Sequence, residues 1–401
     1  MANTILTPTA VTREALRILH QKCNFIGNIN REYDDSFAQS GARIGTALKI
    51  RLPNQYTVRT GATISTQTTS ETSTTLNVTT QKGVDTSFTS SDLTMSLDDF
   101  SERILDPAMS VLAANMEADA FSMIDDVYNT VDNTTNASIT IATILAGGVL
   151  LTTNLAPRDN NRIANLRPQD TADLVNQLKG LFQDSGQISK QYLEGKLGRS
   201  AGFNFYENTL IPSHLTGTMS ATPLTTIALT TTATTAISTI HVQSLGLPGV
   251  LQPGDVFTLA GVNRCHPESK LSTGVLQQFV VTLSTTMATT SSISFSPSLV
   301  MSGATQNCVE GAITGAAILK LGATSETVQQ SLLYHKDAFT FATADLLLPK
   351  GVHFAAREVM DGISMRVVQQ YDITNDAFPT RFDVLYGYKT IRAQLACKIW
   401  S

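Results

Sequence analysis

The spacing of apolar residues divides this chain into stretches of helical period, stretches with the two-residue period of strands, and long tracts where threonine stands in place of charge. Residues 12–22 have helical spacing behind a threonine cap, with Glu14 near the first turn. The following CNFIGNINREYDDSFAQSG is polar and turn-rich, which predicts an arm lying on another surface and not folding by itself. From 46 to 88 the pattern is extended: Leu48, Ile50 and Leu52 alternate with polar residues, and Leu76 and Val78 alternate with threonines. Ten of the residues from 60 to 80 are threonine. Such a segment has strand propensity but little apolar surface to bury, so it predicts a long projecting hairpin laid across a second copy.

The period changes sharply at Ser101. Between 102 and 129, Leu105, Met109, Leu112, Met116, Met123 and Val127 recur at intervals of three, four and seven, with alanines between them. This is the longest helical pattern in the chain, and a Met/Leu stripe at that spacing reads as an architectural spine, not a cofactor box. ASITIATILAGG fits a strand or a short buried helix equally well. Residues 167–182 predict an amphipathic helix opening at Pro168, and 185–197 a second one ending near Gly195 and Gly198.

A compositional boundary falls near Pro212. No Lys, Arg, Asp or Glu occurs from 209 to 254 or from 271 to 309, and threonines there alternate with Leu, Ile, Val and Ala. LQPGDVFTLAGV combines a turn, a short strand and a second turn. Residues 215–321 therefore read as a separate β-rich module, a small barrel or sandwich, inserted into a body whose mixed pattern resumes with LLYHKDAFTFATADLLL. From 351 to 400 the alternation is strong; MRVVQQYDI and RFDVLYGYKTIRAQLACKIW predict strands joined by the turn-rich TNDAFPT, with the last residues in a sheet.

Charged residues make up only 15% of the chain, against about a quarter in ordinary globular domains, and the net charge is −5. That shortage points to surface that is either threonine-rich β-structure or covered by other chains, and no basic footprint for sequence-independent nucleic-acid binding is visible. Cys23, Cys265, Cys308 and Cys397 are scattered and read as free thiols made in a reducing compartment. No signal-peptide pattern opens the sequence, and the nearest approach to a membrane span, residues 139–151, is too short and split by glycine.

Candidate chemistry is sparse. His335, Lys336 and Asp337, with Tyr334 or Ser331, invite an acid/base reading, but adjacent strand residues point to opposite faces. Cys265 and His266, with Glu268 or Asp255, have metal-binding side chains but lack the second pair a structural zinc site needs. The doublets Asp34/Asp35, Asp98/Asp99 and Asp125/Asp126 lack the ladder of a calcium loop, and Gly147 and Gly148 read as turn or packing glycines. No nucleophile elbow, zinc-protease, phosphate-loop or dinucleotide motif occurs in its required context, so neither catalytic residues nor cofactor or metal ligands are expected.

The order of arm, threonine-rich loop, spine helix, mixed body, inserted β-module and returning strands resembles the major capsid proteins of tailed bacteriophages with the Hong Kong 97-like fold. More narrowly it is similar to the coat proteins of the short-tailed Salmonella phage group. PRDNNRIAN followed by LRPQDTADLV, LQPGDVFTLAGV, HKDAFTFATADLLLP and DVLYGYKTIRAQLACKIW carry the likeness. The resemblance implies an α+β fold divided into an arm (1–45), an extended loop (46–100), a spine helix and peripheral domain (101–145), the first axial part (146–214), a telokin-like barrel (215–321) and returning strands (322–401). Within these it puts the loop at 46–92 and the spine helix at 106–131. It further implies hexamers and pentamers in an icosahedral head around double-stranded DNA, a scaffolding protein, a portal at one vertex, assembly in the host cytoplasm, and no membrane partner. Lys49 and Lys82 lie in or near the loop, but nothing nearby selects a partner for covalent crosslinking. A surface or tail-associated β-rich binding protein is the alternative on the same residues.

Overall fold

The computed structural model describes residues 8–33, 47–64, 66–67, 72–89, 104–135, 138–178, 198–219, 224–226, 236–243, 249–287, 290–309, 315–360, 362–374 and 377–401. The chain divides into two compact units, one of Met1–Arg51, Ser73–Phe121 and Phe339–Ile391, the other of Leu52–Thr72, Ser122–Ala338 and Arg392–Ser401.

In the first unit the fourteen-residue strand Ala377–Thr390 organises a six-stranded sheet. One edge takes Thr80–Thr89 along most of its length; the other takes Ile363–Gln369 and then Phe339–Ala344. Phe354–Met360 pairs with Ile363–Gln369 on the outside. The helix Pro8–Lys22 packs on those last two strands and on the helix Asp106–Phe121. It begins four residues before the expected start, with proline at the helix entry, where its missing N–H costs nothing.

The stretch expected to be an arm is part of the core. Phe25, Ile26 and Ile29 are fully buried, Phe25–Asn28 forms a single helical turn, and Asn30–Tyr33 adds a parallel strand to Phe339–Ala344. Phe25 stacks on Phe121 at 4.3 Å and meets Phe339 edge-on at 5.8 Å. Buried Glu117, on the long helix, accepts the Phe25 N–H at 2.5 Å and the Ile26 N–H at 3.4 Å, capping the turn across ninety residues of chain. The remainder of the expected arm, 34–46, lies outside the described residues.

Leu105, Met109, Leu112 and Met116 are buried, as the stripe predicts, but the helix ends at Phe121. A tight 3-10 turn, Ser122–Asp126, follows, and Thr130–Asp132 is already a strand, so the expected continuation to 129 or 131 is corrected. The reason is tertiary: Met123 and Val127 stay buried, while the Thr130 N–H is taken by Gln278 Oε1 at 2.9 Å and the Asn129 amide donates to the carbonyls of Gln394 and Ala396.

The second unit holds two sheets. One runs Thr130–Asp132, Ala396–Trp400, Gln330–His335, Arg162–Leu166, Phe203–Glu207, Arg199–Ser200. Ile141–Thr153, the ambiguous segment, is a helix started by a Thr140/Thr143 capping box, and it packs on Ala396–Trp400 and Gln330–His335. Gly147 lets it approach: a Cβ there would fall 2.4 Å from Leu333 Cδ1. Pro168–Leu178 forms the next helix; the expected helix at 185–197 lies outside the described residues.

The other sheet runs Ser272–Val281, Thr290–Leu299, Ile237–Gln243, Leu224–Thr226, Ala317–Lys320, Val256–Cys265, Cys308–Val309, and Ser272–Val281 also pairs with Val256–Cys265. That extra pairing closes six strands into a barrel. Phe257, Phe279 and Phe295 fill it, with centroids 5.0 to 5.7 Å apart, among Ile240, Val242, Leu259, Ile293 and Ile318. Alternation of the kind seen in Ile237–Gln243 suffices to build it, since every second residue faces inward. The second turn expected in LQPGDVFTLAGV is absent: Val256–Cys265 runs on through Gly261, whose φ of 80° accompanies a shift of register. Likewise the final predicted strand is two, Ala377–Thr390 and Ala396–Trp400, separated by the 3-10 turn Ala393–Leu395.

Candidate assembly surfaces and buried polar clusters

The threonine-rich segment forms a hairpin. Ala47–Arg51 pairs antiparallel with Ser73–Asn77, and at its root Leu76 and Val78 are buried with Ala342 and Ala344. The tip, Leu52–Thr72, is closed by a Leu52 N–H to Thr72 carbonyl bond of 2.9 Å. Gln67 supplies a further rung, accepting from the Thr57 N–H at 2.9 Å and donating to the Thr57 carbonyl at 2.5 Å. Among the described residues of the tip, large apolar side chains are left outside: Tyr56, Val58 and Ile64 are 57%, 95% and 79% exposed. A second apolar surface lies in the other unit, a groove of about 620 Å³ walled by Val131, Ala146, Val149, Leu150, Val275 and Leu276.

The residues with candidate chemistry go to separate structural tasks. His335 is buried at a strand end, its Nε2 3.2 Å from the Asp159 carboxylate and its Nδ1 accepting the Asp337 N–H. Lys336 and Asp337 are exposed in the 3-10 turn that follows, while Ser331 donates to Asp170 at 2.6 Å. All six residues of this strand are buried, and Lys336 falls in the turn and not on the strand, so the trio does not converge. Cys265 donates to the Gln306 carbonyl, His266 Nδ1 accepts the Glu268 and Ser269 N–H groups, and Asp255 partners His214 instead. Among the described residues no group of three or more His, Cys, Asp or Glu could hold a metal ion. The four cysteines are buried and unpaired, and burial raises their thiol pKa values, that of Cys397 to about 12. Asp34/Asp35 and Asp98/Asp99 lie outside the described residues.

One polar cluster went unmarked in the sequence. Fully buried Asp255 lies 2.9 Å from His214 Nε2 and accepts the Gly217 and Gln252 N–H groups. Lys398, also fully buried, donates to the Gly254 carbonyl at 2.8 Å and sits 5.3 Å over the Trp400 ring. Burial pushes its pKa down to about 8, against the pull of Asp125 and Asp255, and burial holds Asp125 above the ordinary carboxylate range. Lys320, at the end of a barrel strand, donates to the Gly217 and Ala323 carbonyls. The available signal was a lysine inside the apolar run ACKIW. Chemically the cluster joins Ala396–Trp400 to the turn that enters the barrel strand Val256–Cys265, with Lys320 bracing the chain that leaves the barrel: its donors are aimed at backbone carbonyls and a paired carboxylate.

A long helix, a hairpin with an unburied apolar tip, a mixed body and an inserted closed barrel are the elements of the Hong Kong 97-like α+β fold. The family model described as P22 coat protein, gene protein 5, matches residues 11–397, and the chain belongs to that family. Among solved structures it is similar to a chain of Mycobacterium phage Che8 (12% identity, TM-score 0.47, covering 94% of this chain and 90% of that one). It is also similar to the capsid of Cyanophage P-SCSP1u (9%, 0.49, 94% and 88%) and the procapsid of satellite phage P4 (9%, 0.41, 100% and 93%). A search of curated proteins finds no match. The chain is a structural protein of the phage capsid family.

Proposed function

We propose that this chain is the major coat protein of an icosahedral phage head, assembling with itself into hexamers and pentamers that enclose double-stranded DNA. The observation that carries this reading is the hairpin whose tip leaves Tyr56, Val58 and Ile64 exposed and available to another surface. Burying such side chains is worth roughly 1.5–3 kcal/mol each. One contact is then weak, but in a closed shell every subunit makes several, and their combination holds the assembly. In this reading the segments at 46–100, 101–145, 146–214, 215–321 and 322–401 act as extended loop, spine and peripheral domain, first axial part, inserted barrel and returning strands, while the described part of 1–45 packs into the core and is not a free arm. A scaffolding protein guides assembly in the host cytoplasm, a portal occupies one vertex, and the weakly acidic chain holds DNA without specific contacts. Lys82 is engaged with Asp119 at 2.7 Å, which supports a shell held without covalent crosslinks.

Electron microscopy of the purified chain, with and without a scaffolding protein, tests the reading. Closed shells with the hairpin crossing between copies are expected. A chain that stays monomeric under every assembly condition would overturn it.

A further inference from the structure

Granting the reading above, in which the hairpin tip crosses between copies, we infer that the inserted barrel holds the tip of its own chain. The tip's apolar side chains then stand in place before a second copy meets them. The paired strands at the hairpin root, Ala47–Arg51 and Ser73–Asn77, belong to the first compact unit, but the tip, Leu52–Thr72, belongs to the second, together with the barrel. Gln55 completes the wall of a space of about 180 Å³ whose other sides include Pro267, Lys270, Pro297 and Thr305 of the inserted module. Next to it, Asn54 Oδ1 is buried without a hydrogen-bond partner. Tyr56, Val58 and Ile64 remain exposed. The tip thus turns the Gln55 side toward its own barrel and leaves an apolar side open to another molecule.

Local bonding does not set this placement. Residues 53–60 form no regular element, and the two sides of the tip are tied across by the Leu52–Thr72 and Thr57–Gln67 rungs. Ordering a loop at the moment of contact subtracts its lost conformational freedom from every contact between copies. Resting the tip on the barrel beforehand removes part of that cost from assembly, which is the gain of preorganisation. The hold is modest, because the buried Asn54 carbonyl gives up its water without gaining a partner. Charge at position 55 can change it: the wall contains Lys270 and no Asp or Glu, so a carboxylate there is drawn in and a guanidinium is pushed out.

The test has two parts. In the unassembled full chain carrying Gln55→Cys and Thr305→Cys, a short bifunctional maleimide is expected to join the two positions within one chain, at a yield independent of protein concentration. The four native cysteines are buried, and each single variant serves as the control. In light scattering of assembly, Gln55→Glu should lower the concentration at which shells form severalfold, and Gln55→Arg should raise it severalfold. Absence of the intrachain product overturns the inference, as does a common threshold or a reversed order for the two Gln55 variants. If the unaltered chain forms no shells at all, the reading of the hairpin as a contact between copies falls, and the crosslink alone decides whether the barrel holds the tip.

Discussion

Replacing Lys398 with methionine should stabilise the chain near neutral pH, although it removes a residue with a hydrogen bond, an aromatic contact and two nearby carboxylates. The side chain is fully buried, and burial lowers its pKa from 10.5 to about 8. In the unfolded chain the lysine releases its proton only near the ordinary value, so between those two pH values the unfolded state binds more protons and stability rises with pH. Below pH 8 both states are charged, and at about 1.4 kcal/mol per pH unit the native chain bears a cost of roughly 3 kcal/mol. Methionine removes that cost but loses the bond to the Gly254 carbonyl, worth about 1 kcal/mol, for a net gain of roughly 2 kcal/mol at pH 7. Urea unfolding of the unassembled chain and the Lys398→Met variant from pH 7 upward follows this group, because groups not coupled to it cancel in the difference and the carboxylates coupled to it titrate in the acid range. The gain should shrink as pH rises through 8 and reverse by about 1 kcal/mol above 10.5. A difference independent of pH, or a variant less stable at pH 7, would refute the reasoning.

Gly387→Ala places a Cβ 2.1 Å from the Asn77 carbonyl oxygen, a backbone atom that cannot rotate away, and should cost at least about 2 kcal/mol, read as a lower urea midpoint. Phe279→Ala empties the centre of the barrel's aromatic cluster and should lose about 3–5 kcal/mol, with near-ultraviolet dichroism reporting the loss of packing. Val58→Asp, at a position 95% exposed, should leave the isolated chain within about 0.5 kcal/mol of the original yet prevent shell formation by light scattering. Unimpaired assembly of that variant would remove the hairpin tip from the interface.

Much of the architecture is legible in local pattern. The Met/Leu stripe buries the face it predicts, the alternating threonines build the hairpin and the barrel, and the uncharged tracts contribute strands to the closed sheet. Other features were hidden. The turn Phe25–Asn28 looks like part of a polar arm until Glu117, far away in sequence, caps it. The long helix stops at Phe121 although its apolar period continues, because partners from other elements take the backbone groups beyond it.

The sequence by itself determined the α+β class, the order of elements, the uncharged β-module and the absence of a catalytic motif, since these follow from periodicity and composition within short windows. Tertiary structure alone decided which strands close the barrel, where the spine helix ends, and which ionisable groups are buried. Pairing of Ser272–Val281 with Val256–Cys265, the Asp255–His214 contact and the environments of Lys398 and Arg264 each join residues from different segments. Their energies depend on desolvation and on partners that no local window contains.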